Sequence, residues 1–182
     1  MTRLIRAAAV LAAAALLPLT AGAAPANAGA VVVGDPADAS ASPADIRKVR
    51  VNHAARTVYV RVRVADLSTA LQHGPGITVY LDVERDRPGP EYQVGLPVSE
   101  GGDWQVTRSR GWKSVGEPIA CRSELRFLPA QDALRAEIDR RCLQRPRALR
   151  VSLKMADWTD SSHVVRDWAP ARRAFSPWVL HD

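Results

Sequence analysis

Four carboxylates, Asp82, Glu84, Asp86 and Glu91, fall within ten residues of one another in YLDVERDRPGPEY, around a Pro-Gly-Pro turn, in a chain whose formal net charge is +6. Clustered carboxylate oxygens are what a hard cation such as calcium needs. The spacing is not that of a helix-loop-helix calcium loop. Counted from Asp82, the sixth position is Arg87 and the twelfth is Gln93, where that loop requires glycine and a bidentate acid. Arg85 and Arg87 also stand between the acids and would repel an ion. Three readings follow: a calcium site of another geometry, a polar ligand site, or a solvated hairpin tip whose acids pair with Arg61 and Arg63 should the two strands be neighbours.

Aromatic rings beside bidentate donors and carboxylates can do a second kind of chemistry. Rings stack on the apolar faces of sugars, while guanidinium and carboxylate groups meet hydroxyls. Tyr59, Arg61, Arg63 and Tyr80 offer that mixture and are the candidate ligand-binding residues; Tyr and Thr also simply favour strands, so the same residues suit a plain sheet surface. ADWTDSSHVVRDW gathers Asp157, Asp160, Ser161, Ser162, His163 and Asp167, the residue types of a nucleophilic triad, but a triad is a matter of geometry and no G-x-S-x-G or S-x-x-K motif accompanies them. A solvated loop is the expected role. His53, His73, His163 and His181 are too far apart to suggest a metal-ligand pair. With no recognisable nucleophile, metal set or cofactor loop, a non-enzyme is expected, and calcium at the acidic loop is the one cofactor considered.

These side chains need strands to position them. TVYVRVRV alternates Val58, Val60, Val62 and Val64 with polar neighbours, and ITVYLDVE sets Ile77, Val79, Leu81 and Val83 inward against Thr78, Tyr80, Asp82 and Glu84 outward. Further strands are expected at 46–52, 92–98, 104–109, 125–128, 134–138 and 149–155, with 31–33 adding an edge strand within the segment 29–45. Turns are expected at NHAART, QHGPG, RPGP and SEGGD. PAQDALRAEIDRRCL is the most helix-like stretch, yet a strand pairing with 125–128 through PAQD is preferred. Many short strands with regular turn signals predict an all-β antiparallel sandwich, immunoglobulin-like or jelly-roll-like, over residues 46–182.

The N-terminal residues 1–28 carry Arg3 and Arg6, an apolar run from Ala7 to Leu19 and the small residues Ala26-Asn27-Ala28, the pattern of a secretory signal peptide. A secreted chain with no later membrane span is expected, and in it Cys121 and Cys142 are expected to form a disulfide worth roughly 3 kcal/mol. Basic residues are scattered among acids, which argues against a nucleic-acid partner. Trp158, Trp168 and Trp178 are evenly spaced near the C-terminus and are expected to close a core.

The order ADIRKVRVNHAARTVYVRVRVADL, VYLDVERDRPGPEYQV, RGWKSV, a cysteine pair and FSPWV resembles small secreted actinobacterial proteins. Over residues 31 to 155 its outline is similar to β-sandwich domains of the DOMON and family-9 carbohydrate-binding-module group. The resemblance implies an extracellular β-sandwich that binds sugars, haem or no known ligand. Haem would require an axial Met or His, with Met155 the available methionine. The carbohydrate branch uses a clamp of paired tryptophans, to be drawn here from Trp104, Trp112, Trp158, Trp168 and Trp178. The function expected is a secreted, non-catalytic module that binds extracellular glycan or cell-wall polymer. Its rival is a structural or inhibitor-like protein-interaction domain with no small-molecule ligand.

Overall fold

In a computed structural model of the chain, residues 27–98 and 104–182 are described. Most of the expected leader and the SEGGD turn lie outside them. The strands are β1 (Asn27–Ala28), β2 (Ala30–Gly34), β3 (Ile46–His53), β4 (Thr57–Val64), β5 (Gly76–Asp82), β6 (Tyr92–Pro97), β7 (Gln105–Arg110), β8 (Lys113–Val115), β9 (Ser123–Leu128), β10 (Ala133–Asp139), β11 (Ala148–Asp157), β12 (Val165–Ala169) and β13 (Val179–Leu180). They form two sheets packed face to face, the expected antiparallel β-sandwich. The smaller sheet has the order β2-β3-β4-β10-β9. The larger runs β1-β13-β11-β5-β6-β7-β8, with β12 sharing an edge of β11 with β13.

Alternation explains the layers. Val58, Val60, Val62 and Val64 of β4 and Leu134, Ala136 and Ile138 of β10 meet Ile77, Val79 and Leu81 of β5 and Leu149, Val151, Leu153 and Met155 of β11 in one buried core. Each such branched side chain contributes on the order of 1.5–3 kcal/mol when taken fully from water. A bulge between Ile46 and Lys48 reverses the alternation of β3, so Ile46 is buried together with Val49 and Val51. His53 ends this strand inside the core, where its Nδ1 lies 3.2 Å from the Val179 carbonyl. Burial pulls its pKa down to about 4, against the opposing effect of that hydrogen bond.

The hairpin of β9 and β10 forms as expected, with a 3-10 turn at Pro129–Gln131, and Cys121 and Cys142 are joined across its open end with Cα atoms 5.6 Å apart. Several elements were not anticipated. Leu67–His73 is a short helix, α1, begun by the Asp66 carboxylate accepting the Thr69 amide and ended by Gly74 at φ 65°. Strands β8, β12 and β13 were likewise missed. The largest departure is in neighbours: β4 pairs with β3 and β10, and β5 with β6 and β11, so the anticipated pairing of Arg61 and Arg63 with Asp82 and Glu84 does not exist. Nor do Trp158, Trp168 and Trp178 close the core, which is mainly aliphatic and has Tyr92 as its aromatic member; all three lie outside it. No helix among the described residues is long and apolar enough to cross a membrane.

Candidate functional site

The outer face of the larger sheet is laid out by three adjacent strands. Gly76, Thr78, Tyr80 and Asp82 of β5 lie opposite Ala156, Lys154, Ser152 and Arg150 of β11 on one side. On the other, Gly76, Thr78 and Tyr80 face Pro97, Gly95 and Gln93 of β6. Where Gly76 and Gly95 leave the sheet without side chains, a hollow of about 400 Å3 opens, bounded by Thr78, Pro97, Lys154 and Trp158. Trp158 is 54% exposed, and its ring lies so close over Gly76 that a Cβ there would meet Cζ3 at 2.8 Å. Glycine inside a strand marks such a close approach.

Beyond the hollow the face is aromatic. Tyr80, only 5% exposed, stacks against Trp168 with ring centroids 5.9 Å apart. Trp112 meets both rings edge-on, at 5.0 and 5.7 Å, and stacks on Phe175 at 5.1 Å. Trp112 follows Gly111 in the two-residue turn between β7 and β8, and both have positive φ, 58° for Gly111 and 66° for Trp112. That twist suits a hairpin but costs a bulky residue of order 1–3 kcal/mol, offset here by three ring contacts. The Arg150 guanidinium lies 4.6 Å from the rings of both Phe175 and Trp178, and Arg85 covers Trp178 at the same distance.

At the far end of β5 the four candidate metal ligands separate into two pairs. Asp82 is fully buried, its Oδ2 taking Nε and Nη2 of Arg150 at 2.7 and 2.6 Å. Glu91, also buried, accepts the Val83 and Glu84 amides at 2.8 and 3.3 Å and so closes the turn from inside. Burial raises the pKa of Asp82 against the pull of Arg150; it raises that of Glu91 too, helped by the Asp82 charge and opposed by the Val83 amide. Glu84 and Asp86 stay exposed, with Arg87 reaching Glu84 at 3.6 Å and Glu91 at 3.9 Å. The tip is thus an ion-paired turn, with Arg150 and Arg87 in place of the arginines expected.

The candidate ligand residues are likewise divided. Tyr59, Arg61 and Arg63 share the outer face of the smaller sheet, on the opposite side of the molecule from Tyr80. There the Arg135 guanidinium covers Tyr59 at 5.6 Å, and Arg126 bridges Glu124 and Glu137 at 3.0 and 3.2 Å. In the loop between β11 and β12 Ser162 Oγ and Asp160 Oδ2 approach the same nitrogen of His163, Nδ1, at 2.9 and 3.2 Å, all three exposed. A base relaying a proton from serine to aspartate needs both ring nitrogens. Residues 160–163 thus form a capped turn, as expected of a solvated loop, but Asp157 and Asp167 do not belong to it: both are buried, in β11 and β12.

Asp35, Asp38 and Asp167 form a group outside the expected sites, with carboxylate oxygens within 4.8 Å of one another. Burial, then the charges of Asp167, Asp38 and Asp45, push Asp35 up to about 7, with Arg47 opposing. Burial lifts Asp167 to about 6 against the Ile46 and Trp168 amides that it accepts. Asp167 points inward opposite Met155, while its neighbour Trp168 points outward onto Tyr80. Sequence reasoning named Trp158 among the clamp tryptophans but passed over Lys154, Gly76 and Gly95. The glycines inside two strand patterns were the available signal.

No protein-family model matches the chain, and no curated protein is significantly similar to it.

Proposed function

We propose that this protein is a secreted, non-catalytic module that binds extracellular glycan or cell-wall polymer on the outer face of its larger sheet. The observation that carries the reading is Trp158, a large ring left exposed beside an open hollow floored by Gly76 and Gly95. A flat ring on a floor without side chains accepts the apolar face of a sugar, and Thr78 and Lys154 supply hydroxyl and ammonium groups for its polar edge. The half-buried rings of Trp168 and Trp112 extend this surface, which suits a chain of sugars better than a single one. The cysteine bridge accords with an oxidising compartment.

The test is co-sedimentation of the purified protein with insoluble polysaccharides and peptidoglycan. Saturable retention on one polymer, weakened about tenfold or more by Trp158→Ala at unchanged melting temperature, is the expected result. No retention on any polymer would overturn the reading and shift the assignment to a protein partner.

A further inference from the structure

We propose that Asp35, Asp38 and Asp167 form a calcium-binding site that ties the segment after β2 to β12, and so fastens one sheet to the other. Three carboxylates whose oxygens converge within 4.8 Å are an all-oxygen donor set, the chemistry of a hard divalent cation. Proximity alone would be ordinary; the state of the Asp35 carboxylate is not. Both of its oxygens are sealed, each exposing less than 1 Å2, and neither has a hydrogen-bond donor. A carboxylate removed from water without a partner is costly, and buried charges are normally paired or metal-bound. Its oxygen faces those of Asp38 and Asp167, which add charge of the same sign.

The surroundings deepen the deficit. Asp45, 0% exposed, adds another negative charge from behind, and its Oδ1 also has no donor. Arg47 is engaged with Asp45 Oδ2 at 2.9 Å, so one guanidinium answers four acids. The Asp167 carboxylate is meanwhile oriented by the Ile46 amide at 2.7 Å and by the Trp168 amide. One oriented ligand, Asp167, a second whose oxygens are sealed, Asp35, and an exposed third, Asp38, give an ion both a seat and an entry path. Calcium fits better than magnesium, because its larger, irregular shell accepts carboxylates in one- or two-oxygen fashion together with water. Since Trp168 follows Asp167 directly, the loaded site would also hold the aromatic face in place.

The experiment is thermal unfolding and titration calorimetry of the purified protein with about 1 mM calcium or with chelator, an extracellular calcium range. The expected result is a melting temperature roughly 5–10 °C higher with calcium. Asp38→Asn, at an exposed position, and Asp35→Asn, which preserves shape, should each abolish the shift and the binding heat. Asp86→Asn, in the acidic turn, should keep both. An unchanged melting temperature with no heat in the parent protein would overturn the proposal, as would a shift that survives either Asp35→Asn or Asp38→Asn. None of these outcomes depends on whether a glycan binds.

Discussion

The two outer faces of the sandwich begin from almost the same sequence pattern and end as different surfaces. TVYVRVRV and ITVYLDVE both alternate β-branched or aliphatic residues with polar ones, and each places a tyrosine outward. On the smaller sheet Tyr59 is half-buried under Arg135, beside a group in which Arg126 bridges Glu124 and Glu137. On the larger sheet Tyr80 is sealed beneath Trp112 and Trp168, and Asp82 is buried against Arg150. The difference comes from what lies above. The first face leaves Arg50 and Arg63 exposed, whereas the turn at Gly111-Trp112 and the residues around Phe175 and Trp178 fold over the second. A charge exposed to water contributes little, while one sealed with its partner becomes a structural requirement.

That contrast can be broken by substitution. Arg150→Ala should be the most damaging, because it strands the fully buried Asp82 charge and removes the guanidinium packed on Phe175 and Trp178; a loss of about 3–5 kcal/mol in denaturant unfolding is expected. Tyr80→Ala should cost about 3 kcal/mol, whereas Tyr59→Ala, on the charged face, should cost less than about 1 kcal/mol. Equal losses for the two tyrosines would refute the distinction drawn between the faces.

Acid should act on the layer between them. His53 has its folded pKa lowered to about 4 from 6.5, so the unfolded chain binds the proton more readily. Its contribution is therefore fully present above pH 6.5, falls as pH drops through the window between the two values, and stops falling below about 4. By about pH 5 the loss attributable to this group should reach about 2 kcal/mol, read as the difference in pH dependence between the parent and His53→Gln. The same pH dependence in both proteins would show that His53 is not held neutral. The smallest effect belongs to Arg126→Ala, whose exposed pairs with Glu124 and Glu137 should yield under about 1 kcal/mol, shrinking further in high salt.

Much of the architecture was legible. Period two in 57–64, 77–82 and 149–155 identified strands and their inward valines and leucines, because alternation is a property of a single extended chain and needs no partner to be seen. The β9 and β10 hairpin and the Cys121 to Cys142 bridge were legible for a related reason: both join residues close in sequence. Helix α1 was not, since seven residues carry too short a period, although its cap residues Asp66 and Gly74 were in view.

The sites followed the opposite rule. Tyr59 and Tyr80 look equivalent along the chain, and nothing local reveals that their strands belong to different sheets. Asp82 finds Arg150, Tyr80 finds Trp168, and Asp35 finds Asp167, all across sequence separations that leave no periodic trace. The alternation of apolar residues is enough to specify a sandwich because burying one face of each strand is favourable whichever strand lies beside it. Which side chains meet on the other face depends on strand order, and that order is set by the packing of the whole core and by the connections that cross it.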